Sequence, residues 1–300
     1  MRSEVITRST GFPPSWSLVL AVIAHPREES SGLGAILDAF IFAGAKVQML
    51  CLTHGQTWAL HAAPGDLAAL RGAELASAAD VLGATRAKLQ VTMDSALKEL
   101  SRTTLAAEVA AVAKSGHVDG LLVFDVAEVT GHLAEVPPTS AALLAAETLD
   151  LPVLGWTLSE TAAARLNQDC GTRFTGHRDA DIDLRVSVDR ARQRLASHAH
   201  PKQALPGSAP RRRLELLAEM ECLRWLRPPR GAVGDAASPG LPAMRFDAAD
   251  RAPSGVEHPG GNQLDINSRD QVISVDHPVE DGPAGHNRAR HNLPNPGPGR

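Results

Sequence analysis

Residues 17–30 read SLVLAVIAHPREES. From Leu18 to Ala24 the run is unbroken and apolar, and it ends abruptly at His25-Pro26. That length, with those flanks, predicts a strand buried on both faces, as in a parallel sheet. Just downstream, Leu33, Ile36, Leu37, Phe40 and Ile41 recur at i, i+3, i+4, i+7 and i+8. The spacing predicts an amphipathic helix, with Ser30 or Ser31 as N-cap and Gly44 just past its end. A buried strand that enters a helix through a short polar loop is the repeating unit of an α/β sheet.

The same alternation continues along the chain. Strands are predicted at Lys46–Thr53, Ala87–Val91, Leu121–Asp125 and Val153–Ser159. Helices are predicted from Asp66 to Leu82, from Ser101 to Lys114, and from about Pro138 to Leu149. Asp181–Val188 alternates like a half-exposed strand, Asp189–His198 looks helical, and Arg213–Arg227 reads as one last amphipathic element. The fold class is therefore α/β: a doubly wound, Rossmann-like, mostly parallel sheet with helices on both faces. In such sheets ligands bind beyond the carboxyl ends of the strands, where the strand order reverses. In a 3-2-1-4-5 order the first and fourth strands flank that crevice. The loops to inspect are then His25–Ser31 and Val126–Pro138.

Composition limits what the chain can be. Of its 300 residues, 43% are hydrophobic and 21% charged, enough to bury a core. The net charge of −4 excludes a broadly basic nucleic-acid binder. Three scattered cysteines do not make a disulfide framework, so a reducing, cytoplasmic setting is expected. No apolar run reaches the roughly 18–20 residues of a membrane span. From about Pro228 the composition shifts, with 11 prolines and 10 glycines among residues 228–300. The chain is thus expected to divide into an arm (1–16), a folded domain (17–228) and a disordered tail (229–300).

Both crevice loops carry the same pair of residue types. His25 and Glu28 stand at i and i+3, and so do His132 and Glu135 in EVTGHLAE. Two such pairs converging over one crevice suit metal binding or acid–base chemistry. Polar loop residues in solvent would carry the same letters. Cys51, inside an apolar strand, reads as a small buried hydrophobe, and the His198-x-His200 pair as a polar helix end. No G-x-G-x-x-G follows the first strand, which excludes a dinucleotide fingerprint there.

These motifs, in this order, resemble the LmbE-like, or PIG-L, zinc-dependent N-deacetylases, which act on N-acetylglucosamine-type substrates. The family's strand–AHPDDE–helix hallmark stands here as AHPREES. Its T-x-G-E turn is Thr53-His54-Gly55-Gln56, and its R-x-x-E helix ending in Leu-Gly matches Arg71, Glu74, Leu82 and Gly83. Asp94 fits the Asp after the third strand. Gly131-His132-Leu133-Ala134-Glu135 fits G-H-P-D-H, and His200-Pro201-Lys202-Gln203 fits the late H-x-S-Q.

The resemblance implies a zinc ion held by His25, Glu28 and Glu135, with His132 stabilising the oxyanion or protonating the leaving amine. It implies substrate contacts from Arg71, Asp94 and His54, and a small amino-sugar conjugate as partner. The sequence departs from the family most sharply at Arg27, which stands at the general-base position and cannot serve as a base. Glu135 offers oxygen where the family offers nitrogen, and Ala134 and Gln56 replace carboxylates. Two readings follow. In one, Glu29 takes the base role and the chain is a deacetylase. In the other, the domain is non-catalytic and binds a sugar-like ligand or a protein partner.

Overall fold

The computed structural model describes residues 9–53, 64–89, 100–125, 136–200 and 209–230. Eight strands make one sheet. They are β1 (Ser9–Gly11), β2 (Leu18–Ile23), β3 (Lys46–Cys51), β4 (Arg86–Leu89), β5 (Gly120–Phe124), β6 (Val153–Thr157), β7 (Leu184–Ser187) and β8 (Met220–Arg227). Their order across the sheet is β1-β7-β8-β6-β5-β2-β3-β4. The strands from β4 to β6 are parallel and follow the predicted 3-2-1-4-5 order. β8 alone runs antiparallel to both its neighbours.

Strand β2 shows why the reading of residues 17–24 decides the fold. Val19, Ala21 and Ile23 turn to one face, and Leu20, Val22 and Ala24 to the other, and all are buried. The first face is covered by α1 (Gly34–Phe42), α2 (Pro64–Leu82), α5 (Glu160–Cys170), α6 (Ala191–Ser197) and α7 (Ala209–Leu217). The second is covered by α3 (Arg102–Gly116) and α4 (Val136–Leu149). A strand with helices on both sides has no solvent face, so it needs no polar alternation.

Local signals act as the sequence predicts at several element ends. Ser101 caps α3 by accepting from Thr104 N–H at 3.1 Å. Gly44 follows α1 with φ +95°, a conformation that suits glycine.

Four features differ from expectation. The helix after β2 has no serine cap; it opens as one π-helical turn, Glu29–Leu33, and continues into α1 without a break. Gly32 in that turn lies against Phe124, whose Cζ would stand 2.5 Å from a Cβ at this position. Helix α5 was not foreseen; Ser159 caps it, accepting from Ala162 N–H at 3.2 Å. The segment 213–227 is not one element, because the chain turns at Ala218, with φ +46°, between α7 and β8. Finally, β1, within the segment expected to be an arm, pairs in parallel with β7 at the sheet edge.

Candidate functional site

The strand order reverses between β2 and β5, so the crevice lies beyond their carboxyl ends. On the β2 side the loop 24–28 is closed on itself. The Glu28 carboxylate reaches back to accept Ala24 N–H at 2.8 Å. Glu28 is buried, and burial pushes its carboxyl above the ordinary value. The His25 imidazole, the Ala24 N–H and the Arg27 guanidinium draw it back in part.

Thr53 fixes the His25 ring. The β2–β3 register pairs Ile23 with Cys51, which brings His25 level with Thr53. The Thr53 hydroxyl donates to the Ala24 carbonyl at 2.9 Å, so it must accept from His25 Nδ1–H at 2.6 Å. The proton on Nδ1 leaves Nε2 as the lone-pair nitrogen, the form a metal or a substrate proton needs.

Arg27 holds an unusual backbone. Its φ is +111°, a region that L side chains seldom adopt and that costs of order 1–3 kcal/mol. Its N–H donates to Glu29 Oε2 at 2.6 Å. Its carbonyl accepts from Ser31 N–H at 2.7 Å, Ser30 N–H at 3.1 Å and Ser30 Oγ at 3.0 Å.

Glu29 is fully buried, and its second oxygen, Oε1, lies 2.6 Å from His200 Nε2. His200 Nδ1 in turn faces Glu74 Oε2 at 3.4 Å, and that oxygen takes Arg71 NH1 at 2.6 Å. Burial alone would lower the His200 value. The hydrogen bonds and charges of Glu29 and then Glu74 outweigh it and hold His200 above the ordinary histidine value. His200 is thus a buried clasp rather than a polar helix end. Arg71 is buried too, and its Nε has no hydrogen-bond partner among the described residues.

Beneath this loop a second buried network holds the π turn. Gln193 Nε2 donates to Gly32 O at 3.4 Å, and Arg213 donates to Ser31 O. Gln193 also accepts from Arg190 NH1 at 2.7 Å. Arg190 pairs with Glu221 at 2.6 Å, and Glu221 accepts from Trp156 Nε1 at 2.7 Å. Arg213 lies 5.0 Å above the Trp156 ring.

On the β5 side stands a cluster that sequence reasoning missed. Asp125 directly follows β5, and its buried Oδ2 takes Arg224 NH1 at 2.9 Å and His177 Nε2 at 3.1 Å. Burial pushes the Asp125 carboxyl up. The bond from His177 and the charge of Arg224 outweigh that and hold it below the ordinary carboxylate value. Arg224 Nε also donates to Asp181 O at 3.0 Å. The available signal was the Asp itself, placed at a strand end on the crevice.

Of the residues predicted for the site, His25, Glu28 and Glu29 come together on one loop, and Arg71 reaches them through Glu74 and His200. His54, Asp94, His132 and Glu135 lie outside the described residues. As a zinc site, the described part supplies two donors of suitable kind, the His25 imidazole and the Glu28 carboxylate. Among the described residues no group of three or more His, Cys, Asp or Glu forms a metal site.

Residues 20–134 match the model of the PIG-L family, GlcNAc-PI de-N-acetylase. The fold is similar to N,N'-diacetylchitobiose deacetylase from Pyrococcus horikoshii, with 16% identity over 70% of this chain and 84% of that one and a TM-score of 0.52. It is similar to the A40926 pseudoaglycone deacetylase, with 18% identity over 70% of this chain and 96% of that one and a TM-score of 0.52. A deacetylase of the teicoplanin biosynthesis pathway gives 16% identity, 69% and 96% coverage and a TM-score of 0.52. No curated protein matches the chain.

Proposed function

We propose that this chain is a PIG-L-type hydrolase that removes the acetyl group from an N-acetylglucosamine-type conjugate. The observation that carries the reading is the placement of His25 and Glu28 together on the loop after β2. The imidazole is held with Nδ1 2.6 Å from the Thr53 hydroxyl, and the Glu28 carboxylate stands on the same loop, within the segment that matches the PIG-L model. The residues that would hold zinc are His25, Glu28 and Glu135. When bound there, zinc would polarise the acetyl carbonyl and make water acidic enough to attack it.

The remaining residues carry the proton and position the sugar. Both Glu29 oxygens are engaged, one by Arg27 N–H and one by His200, so we assign Glu29 to holding the loop and not to proton transfer. His132 is the proton acceptor in this reading. It takes the proton of the attacking water and returns it to the amine nitrogen as the C–N bond breaks, giving acetate and a free amino sugar. Arg71, Asp94 and His54 bind the sugar.

The alternative is a non-catalytic binding domain, and one observation favours it: the Arg27 guanidinium acts electrostatically on Glu28, where it competes with a divalent cation. Two measurements separate the readings. The first is a zinc titration: the deacetylase reading expects saturable binding, weaker than one tightly held ion per chain, and the binding-domain reading expects none. The second is acetate release from N-acetylglucosaminyl substrates with added zinc. The double substitution Arg27→Asp with Glu135→His is expected to raise both metal affinity and rate by more than the two single changes combined. If the double variant binds zinc and releases no acetate from any amino sugar, the deacetylase reading fails.

A further inference from the structure

The Asp125 cluster has no part in the chemistry above, yet it is built like a receptor. Its carboxylate is completely buried and is shared by two donors from distant segments. His177 follows α5 and bridges to Ser159, just past the end of β6. Arg224 comes from β8 and is anchored a second time by the Asp181 carbonyl. The two donor groups lie 3.1 Å apart and are each locked in place.

Each also has capacity left over. Because Nε2–H of His177 is given to Asp125, its Nδ1 faces elsewhere, and no hydrogen bond reaches it among the described residues. Arg224 uses Nε and NH1 and leaves NH2 in the same condition. Neither atom is among the buried groups left without a partner, and the side chains are 16% and 25% exposed. Both atoms are therefore open to water. The charges of Asp125 and Arg224 add to one negative and one positive.

The position is also suggestive. The β2–β5 register pairs Ala21 with Leu122, and three further steps bring Ala24 level with Asp125. Adjacent strands lie about 4.8 Å apart, so the cluster is one strand away from the His25 loop, at the same end of the sheet.

We propose that His177 Nδ1 and Arg224 NH2 form a subsite for an oxyanion, a phosphate or a carboxylate, carried by the substrate away from its acetyl group. The inference rests on the deacetylase reading for the identity of the substrate and not for the existence of the subsite. Arg224 NH2 donates to an oxygen of such a group, and His177 Nδ1, the lone-pair nitrogen while Nε2–H is given to Asp125, accepts from a hydroxyl beside it. The buried Asp125 pays for their preorganisation, because it holds both in position before any ligand arrives.

The test is a titration of the full chain with inorganic phosphate, following the imidazole resonances of His177. Those resonances are identified by their loss in His177→Gln. Saturable binding is expected, weakened about tenfold in Arg224→Lys, which keeps a cation opposite Asp125 but removes the second prong. An unchanged melting temperature in Arg224→Lys shows that the fold is intact. No saturable shift, or a variant that binds phosphate as the wild type does, overturns the proposal.

Acetate release from N-acetylglucosamine, its 6-phosphate and N-acetylmuramic acid then distinguishes neutral, phosphate and carboxylate substrates. A lower KM for one anionic sugar, lost in Arg224→Lys, identifies the group. If no sugar is hydrolysed while phosphate binds as expected, the deacetylase reading fails and the subsite stands. If the neutral and anionic sugars react with equal KM, the assignment of the subsite to the substrate is overturned.

Discussion

Glu29 and Glu221 are two buried carboxylates held by the same geometry and different cations. Each is fully enclosed, and each meets a nearly inaccessible nitrogen at 2.6 Å, His200 for one and Arg190 for the other. Arg190 stays charged at every accessible pH. The His200 charge depends on its neighbours and on the medium. The permanent pair lies in the scaffold under the π turn, and the adjustable pair lies at the rim, next to His25 and Glu28. The molecule is thus rigid where it supports the crevice loop and titratable where it closes it.

The largest expected effect breaks the permanent pair. Glu221→Ala leaves Arg190 buried without its counter-charge and removes the acceptor of Trp156 Nε1, so a loss of about 3–5 kcal/mol is expected. In thermal unfolding that is a fall of roughly 10 °C. A fall of only a degree or two would show that water reaches Arg190 and that the two pairs do not differ as described.

His200→Ala is the matching change at the rim, and a smaller loss is expected, about 2 kcal/mol at pH 6. Glu29 then keeps Arg27 N–H as a donor. Denaturant titration of both variants side by side ranks the pairs, and the comparison collapses if His200→Ala proves the more damaging.

The third expectation uses pH. The folded His200 value is raised, because Glu29 and then Glu74 overcome the effect of burial, with Arg71 the cation facing them across Glu74. A raised value contributes stability that is fully present below the ordinary histidine value of 6.5 and is lost as pH climbs through the folded value. Melting temperature should therefore fall on the alkaline side of neutrality in the wild type, and this part of the fall should vanish in Glu29→Gln. A slope unchanged by Glu29→Gln would assign the effect to another group.

The smallest effect is local. Arg27→Gly relieves a φ of +111°, and a gain of about 1 kcal/mol or less is expected, against a loss for Arg27→Ala, which keeps the strained backbone and only deletes contacts. Equal stability of the two variants would mean that the loop relaxes away from this conformation in solution.

How much of this was readable follows from which contacts are local. The parallel core was, since each strand–helix unit carries its own apolar period, and even Gly44 at the end of α1 is a one-residue signal. The His25–Glu28 loop was readable for the same reason. Segment 213–227 was not, because RLELLAEMECLRWLR carries apolar residues that serve a helix or a strand. What decides is the partner: β8 is a strand because β6 and β7 leave a place between them. The Asp125 cluster was hidden in consequence, since Arg224 reaches Asp125 only after β8 is inserted. The role of Glu29 was likewise invisible in AHPREES, because its second partner, His200, lies 171 positions away.

The insertion of β8 also sets a timetable for synthesis. β7 joins the sheet through β8, and β1, made first of all, joins only through β7. Until residues 220–227 have left the ribosome, β6 keeps a bare apolar edge, and half of the oxyanion cluster does not exist. At about 5–20 residues per second the nascent chain carries that edge for several seconds. Such an edge is a template for pairing with other chains. A ribosome stalled before Met220 would release a polypeptide with its parallel core complete and its seam open, so quality control has a defined species to capture.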